Sequence, residues 1–292
     1  MSDSNNGIDL SLGLTGTHVL ITGGAGLIGQ IVVQHFLAAG AKVSSLDISY
    51  PFTSPAPSPN HNLLEIHADV SDQTSFTIAW NQATDAFGTV QTCIALASLD
   101  LSVLPQTDSI ADYDPSTWRR ILDINIGGTM MGAKLWLGGL RSHQNDTNPP
   151  SPSEGLRNVS FIIMGSEAGH FGVRTCAPYA AAKAAVQGGL LHSLRADAAR
   201  IYAGARINAI APGPVDTVRF RSETGGPGTR EWWTDCVGTT ALGEPVPCEA
   251  VARTALFLAS EKWAGHVTGQ CVNVDSGKMG AVMWLPEEKS GE

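Results

Sequence analysis

Short β-branched apolar runs alternate along this chain with longer stretches of helical period, the pattern of a parallel sheet covered by helices on both faces. Strands are expected over His18–Thr22, Lys42–Asp47, Leu63–His67, Val90–Ala95, Asn158–Met164, Ala205–Ile210 and Gln270–Val274. Helices are expected over Leu27–Ala39, Ser71–Phe87, Pro115–Leu140, Pro178–Ile201 and Cys248–Ser260. The third has a legible start: Asp114 can cap free N–H groups, and Pro115 lacks the donor that would be wasted there. The expectation is an α/β fold, one doubly wound domain of about seven strands over residues 15–280. Two segments interrupt the pattern. Pro51–Asn60 is proline-rich and reads as a loop, and Arg141–Arg157, rich in Pro, Ser and Asn, reads as a surface loop. Residues 1–14 and 281–292 read as a flexible amino terminus and a tail.

Composition narrows the partners. Eighteen Lys and Arg against 27 Asp and Glu give a net charge of -9, which repels nucleic acid and anionic membrane surfaces. No stretch is long and apolar enough to span a bilayer, and the amino terminus lacks the basic start and apolar run of a secretory signal. Cys93, Cys176, Cys236, Cys248 and Cys271 form no metal-ligand spacing, so no metal is expected. Reduced thiols in a cytoplasmic setting are the simplest reading.

Thr22-Gly23-Gly24-Ala25-Gly26-Leu27-Ile28-Gly29 follows an apolar strand and opens an amphipathic helix. A turn without Cβ atoms lets the backbone approach a pyrophosphate, and the helix start behind it offers unpaired N–H donors and partial positive charge. Gly23, Gly26, Leu27 and Ile28 are the candidate contacts; a tight turn with no ligand is the alternative. Asp47, ending the second strand, is spaced to hydrogen-bond ribose hydroxyls and would repel a 2′-phosphate, favouring NAD over NADP. An aspartate also ends strands without any ligand. Asp69 and Val70 follow the third strand, where a short acid can accept from adenine or mark the start of the next helix.

Tyr179 and Lys183 stand four residues apart in an Ala-rich helical stretch, on one face. To act as a base near neutrality the phenol must be lowered by roughly three pH units from its ordinary value, worth about 4 kcal/mol. A neighbouring ammonium supplies on the order of that amount at an effective dielectric of about 20. Ser166 lies just beyond the fifth strand, at the carboxyl edge where ligands bind. Asn125, beside Gly127 and Gly128 in a helix of poor local propensity, can hold a water leading to Lys183 or be an internally satisfied amide.

Together these residues resemble the short-chain dehydrogenase/reductase family, from His18 to Gly277. The resemblance implies a Rossmann-type fold with Ser166 polarising the substrate oxygen, Tyr179 as acid/base, Lys183 on the nicotinamide ribose, and Asn125 in a proton relay. Asn208–Thr217 looks like the family's Pro-Gly motif, which implies that Pro212, Val215 and Thr217 meet the nicotinamide end. Val272–Gly277 resembles its closing strand and turn. Two departures stand out. The glycine spacing is closer to that of the family's larger members, and Ala95-Leu96-Ala97-Ser98 replaces the usual Asn-Asn-Ala-Gly, leaving Ala95 and Ala97 as the cofactor wall without bracing amides.

Residues 218–240 carry Phe220, Trp232 and Trp233 among Gly225, Gly226 and Gly228, a composition suited to a lid over an apolar substrate or to a packed contact. His170 and Phe171 are expected to flank the pocket, His192 to be packing or interface, and Met279, Met283 and Trp284 to line the pocket or a partner subunit. The expected function is NAD-dependent interconversion of a secondary alcohol and a ketone on a medium-sized, largely apolar small molecule, in a homodimer or homotetramer. The alternatives are a redox-neutral enzyme of the same fold and an NAD-sensing interaction protein.

Overall fold

A computed structural model describes residues 8–52, 60–146, 155–173 and 175–282 of the protein. Its seven strands are β1 (His18–Thr22), β2 (Lys42–Asp47), β3 (Leu63–His67), β4 (Thr92–Ala95), β5 (Ser160–Met164), β6 (Arg206–Pro212) and β7 (Cys271–Val274). They form one sheet in the order β3-β2-β1-β4-β5-β6-β7, with every pair parallel. Side chains alternate between two buried faces. Leu20, Cys93, Ala95, Phe161 and Ile163 enter one apolar cluster, while Val19, Ile21, Ile94, Ile162 and Met164 enter the other.

A sheet buried on both faces needs helices on each. The helices, in chain order, are α1 (Leu27–Ala38), α2 (Gln73–Phe87), α3 (Pro115–Leu122), α4 (Thr129–Asp146), α5 (Ala168–Phe171), α6 (Ala177–Ala184), α7 (Leu191–Ile201), α8 (Val218–Thr224), α9 (Arg230–Trp232), α10 (Cys248–Ala259) and α11 (Glu261–Ala264). Phe76 and Trp80 of α2, Trp136 and Leu140 of α4, and Leu191 of α7 complete the first cluster. Val32 and Phe36 of α1 with Val251 and Leu258 of α10 complete the second. Strand order reverses at β1, which lies between β2 and β4, so a crevice opens at the carboxyl ends of β1 and β4.

All seven expected strands and the doubly wound architecture are present, and Asp114 caps α3 by accepting from the Thr117 N–H. Several elements differ from expectation. Arg141–Asp146 continues α4 rather than opening a loop. The α2 cap is Asp72, which accepts from Ser75, while Asp69 turns back on Ser71. The two long helices each contain a π-helical stretch, Asp123–Gly128 and Ala185–Leu190, and a third π segment, Trp233–Val237, continues α9. Residues 218–240, read as a lid from composition, are largely helical. Residues 1–7, 53–59, 147–154, 174 and 283–292, including Met283 and Trp284, lie outside the described residues.

Candidate active site

The glycine turn leaves β1 and passes against the ends of its neighbours. Gly23 has a φ of 72°, and a Cβ there would lie 2.8 Å from the Ala97 backbone. A Cβ on Gly29 would meet the Gly23 carbonyl oxygen at 2.1 Å. Gly26 is the α1 N-cap, and no side chain caps the N–H groups of the first turn, which Leu27 and Ile28 begin. Asp47 ties β2 to this turn: one carboxylate oxygen accepts from the Ala25 N–H at 3.1 Å and the other from Ser49. Val70 packs against Gly128, where a Cβ would lie 2.7 Å from it.

The wall expected at Ala95 and Ala97 lacks amide side chains, and other groups brace it. The Thr22 hydroxyl accepts from the Leu96 and Ala97 N–H groups, each at 3.1 Å. Asn125 grips the next turn with both ends of its amide: Oδ1 accepts from the Leu99 N–H at 2.8 Å and Nδ2 donates to the Leu99 carbonyl at 3.0 Å. Its side chain is therefore the internally satisfied amide of the two readings above. The Asn125 carbonyl accepts from the Thr129 hydroxyl.

Ser166, Tyr179 and Lys183 meet over the turn that follows β5. Tyr179 and Lys183 are both buried on α6, with the Lys183 Nζ 5.6 Å from the phenol ring centre. That Nζ donates to the Met164 carbonyl at 3.0 Å. The Ser166 Oγ accepts from the Ala168 N–H at 3.1 Å, and the Ser166 side chain acts to lower the Tyr179 phenol. A third apolar cluster, with Tyr113, Ile121, Cys176 and Ala180, packs around Tyr179.

Burial dominates the electrostatics. It pushes the Tyr179 phenol up to about 12, opposed by Ser166 and reinforced by the carboxylates of Asp100 and Glu167. It pulls the Lys183 ammonium down to about 8. For the phenol, burial outweighs the lowering by Ser166. Glu167, next to Ser166, is raised to about 7 by burial. Its Oε1 lies 3.7 Å from the Lys278 Nζ, and its Oε2 is buried with no hydrogen-bond partner.

The Pro-Gly turn runs beside this loop. The Pro212 carbonyl accepts from the Glu167 N–H, Val215 pairs with Val246, and Thr217 caps α8 by accepting from Phe220. Phe220 and Trp232 pack tilted at 42° with ring centres 5.5 Å apart, and Arg219 of α8 reaches Asp100 and Ser102. Trp233 is half-buried against Gly238. His170 reaches β7, with Nε2 3.1 Å from the Asn273 Oδ1. A cavity of about 360 Å³ between α2 and α4, lined by Trp80, Asp85, Trp136 and His143, lies away from these residues, at the far ends of the strands. Among the described residues no His, Cys, Asp and Glu group could hold a metal, the five cysteines are free, and no helix is long and apolar enough to cross a membrane.

A family model described as enoyl-(acyl carrier protein) reductase matches residues 23–278, the span that carries both the glycine turn and the Ser166, Tyr179 and Lys183 cluster. The chain belongs to the short-chain dehydrogenase/reductase family. It is 28% identical to an acetoacetyl-CoA reductase of Synechocystis sp., over 91% of this chain and 98% of that one. It is 29% identical to 3beta-hydroxysteroid dehydrogenase 2 of Eggerthella lenta, over 90% of this chain and 95% of the relative. It is also 29% identical to a 3-alpha-(or 20-beta)-hydroxysteroid dehydrogenase of Mycobacterium bovis, over 90% of each.

Sequence reasoning missed four residues of this family member's site: Thr22, Asp100, Glu167 and Gln187. Three act from turns or strand ends, where no periodicity marks them. Gln187 was within reach, standing four residues beyond Lys183 and eight beyond Tyr179.

Proposed function

We propose that this protein is an NAD(H)-dependent oxidoreductase that interconverts a secondary alcohol and a ketone on a medium-sized, largely apolar molecule. The observation that carries this reading is the meeting of Ser166, Tyr179 and Lys183 over one turn at the carboxyl edge of the sheet. The turn formed by Gly23 and Gly29 fits a dinucleotide, since Cβ atoms there would close it and nothing caps α1. Gly23, Gly26, Leu27 and Ile28 would hold the pyrophosphate. Asp47 would take the ribose, Asp69 and Val70 the adenine, with Ala95 and Ala97 as wall. Lys183, Pro212, Val215 and Thr217 would serve the nicotinamide half. When bound, the nicotinamide supplies or takes the hydride.

The chain's own groups manage the oxygen. With its phenol raised to about 12, Tyr179 keeps its proton at neutral pH and is set to donate it to a carbonyl oxygen gaining charge. Ser166, whose Oγ is anchored by the Ala168 N–H, has its own proton left to donate to the same oxygen. Lys183 keeps positive charge beside the phenol when the reaction runs toward oxidation. Asn125 supports this end by fixing Leu99 with both ends of its amide. Residues 218–240, with Phe220, Trp232 and Trp233, form the substrate lobe of one domain spanning 15–280. A cytoplasmic homodimer or homotetramer completes the reading.

The test is a panel of ketones and alcohols: a 3-ketosteroid, cis-4-hydroxycyclohexanecarboxylate and acetoacetyl-CoA, each with NADH or NADPH (or the oxidised forms). The expected result is a net change in nicotinamide absorbance with a cyclic apolar substrate, at least about tenfold faster with the unphosphorylated cofactor. Product formed with no net absorbance change would point to redox-neutral chemistry. A preference for NADPH would overturn the role given to Asp47.

A further inference from the structure

Gln187 is an apolar position occupied by an amide. It sits in the π segment Ala185–Leu190, its side chain is 4% exposed, and its Nε2 is buried without a hydrogen-bond partner. A leucine or methionine would fill the volume and leave no donor stranded there. What the amide provides is its other end: Oε1 accepts from the Ser166 N–H at 2.8 Å. Only the oxygen can accept, so this bond sets which way the amide faces. The loop is shaped around it. A Cβ on Gly165 would lie 2.4 Å from Oε1, and one on Gly169 would lie 2.6 Å from the Gln187 Cδ.

The same helix face holds this turn at three levels. Tyr179 carries the phenol that the Ser166 side chain lowers, Lys183 donates to the Met164 carbonyl, and Gln187 accepts from the Ser166 main chain. Successive steps of four residues drift by about 40° around an ideal α-helix. The wider π turn pulls the third position back toward the line of the first two.

We propose that Gln187 is a positioning residue for the reaction, fixing the Ser166 backbone so that the Ser166 hydroxyl is directed at the Tyr179 oxygen. The inference rests on the role given to Ser166 and Tyr179 above, and its experiment separates the two. Gln187→Met keeps length and volume without an acceptor; Gln187→Glu keeps the acceptor. Each is assayed as full-length protein, with whichever member of the ketone panel the wild type reduces fastest, alongside Ser166→Ala, Tyr179→Phe and the Ser166→Ala/Gln187→Met pair. Gln187→Met is expected to lower kcat about 10- to 100-fold, with KM and the NADH Kd changed less than about threefold. Gln187→Glu is expected to recover most of kcat. Because Gln187 acts through Ser166, the double variant is expected to be no slower than Ser166→Ala alone.

Full kcat in Gln187→Met, or losses that multiply in the double variant, would overturn the proposal while leaving the site reading intact. If Gln187→Met does not fold, the proposal stands or falls on Gln187→Glu: kcat near wild type supports it, and loss of kcat in a folded protein that still binds NADH overturns it. Undiminished turnover in both Ser166→Ala and Tyr179→Phe would instead remove the reading on which it rests.

Discussion

Three ionisable groups beside the Ser166 turn are displaced from their ordinary values, and burial is the largest cause for each. Glu167 gives the clearest consequence for the whole protein. Its carboxyl is raised from 4.5 to about 7, so the folded chain holds this proton more tightly than the unfolded chain. The associated stability is complete below about pH 4.5 and is lost as pH rises through about 7, to a limit of about 3 kcal/mol. Gln at position 167 has no charge to bury at any pH. Glu167→Gln is therefore expected to melt roughly 5 °C above wild type at about pH 8.5 and level with it at about pH 4.5, by calorimetry. A variant that melts lower than wild type at alkaline pH would show that the Lys278 contact outweighs the burial cost. Tyr179 and Lys183 could be paired from sequence because i, i+4 geometry is local. Their electrostatic neighbours could not, since Asp100 and Glu167 arrive from loops after different strands.

At the level of elements, the molecule is regular where it only has to pack and irregular where it meets the site. The three described π segments carry Asn125, Gln187 and Cys236 respectively, and the first two brace the turns after β4 and β5. Strands were legible because both faces are apolar and turn residues bound them, and α3 because its cap is local. The π segments were not, since an extra residue per turn changes no composition. The polar Arg141–Asp146 end of α4 carries no apolar stripe to mark it as helix. The departure from Asn-Asn-Ala-Gly was visible, but its compensation by Thr22 and Asn125 depends on contacts distant in sequence. The α1 start offers a direct test. Gly29→Ala would drive a Cβ into the Gly23 carbonyl oxygen and to 2.9 Å from the Gly24 Cα, backbone that cannot move aside cheaply. A loss of roughly 2–4 kcal/mol in urea unfolding, with weakened NADH binding, is expected. Unchanged stability and affinity would mean the turn is looser than its geometry indicates.

The whole molecule is a sheet whose two faces are sealed by helices and whose carboxyl edge is left for chemistry. The turns after β1, β4, β5 and β6 reach that edge together because the strand order reverses at β1. Distant parts of the chain are tied there by few bonds: Thr22 to Leu96, Asn125 to Leu99, Gln187 to Ser166, and Glu167 to Pro212. The central claim is that this convergence makes Tyr179 the proton donor beside a bound dinucleotide. Tyr179→Phe removes one hydroxyl from a buried position and leaves the glycine turn untouched. Titration of this variant with NADH, followed by single-turnover reduction of the best ketone, measures binding and chemistry in one protein. The account predicts an NADH Kd within about threefold of wild type and hydride transfer at least about a thousandfold slower. Hydride transfer at the wild-type rate, with NADH still bound, would contradict it.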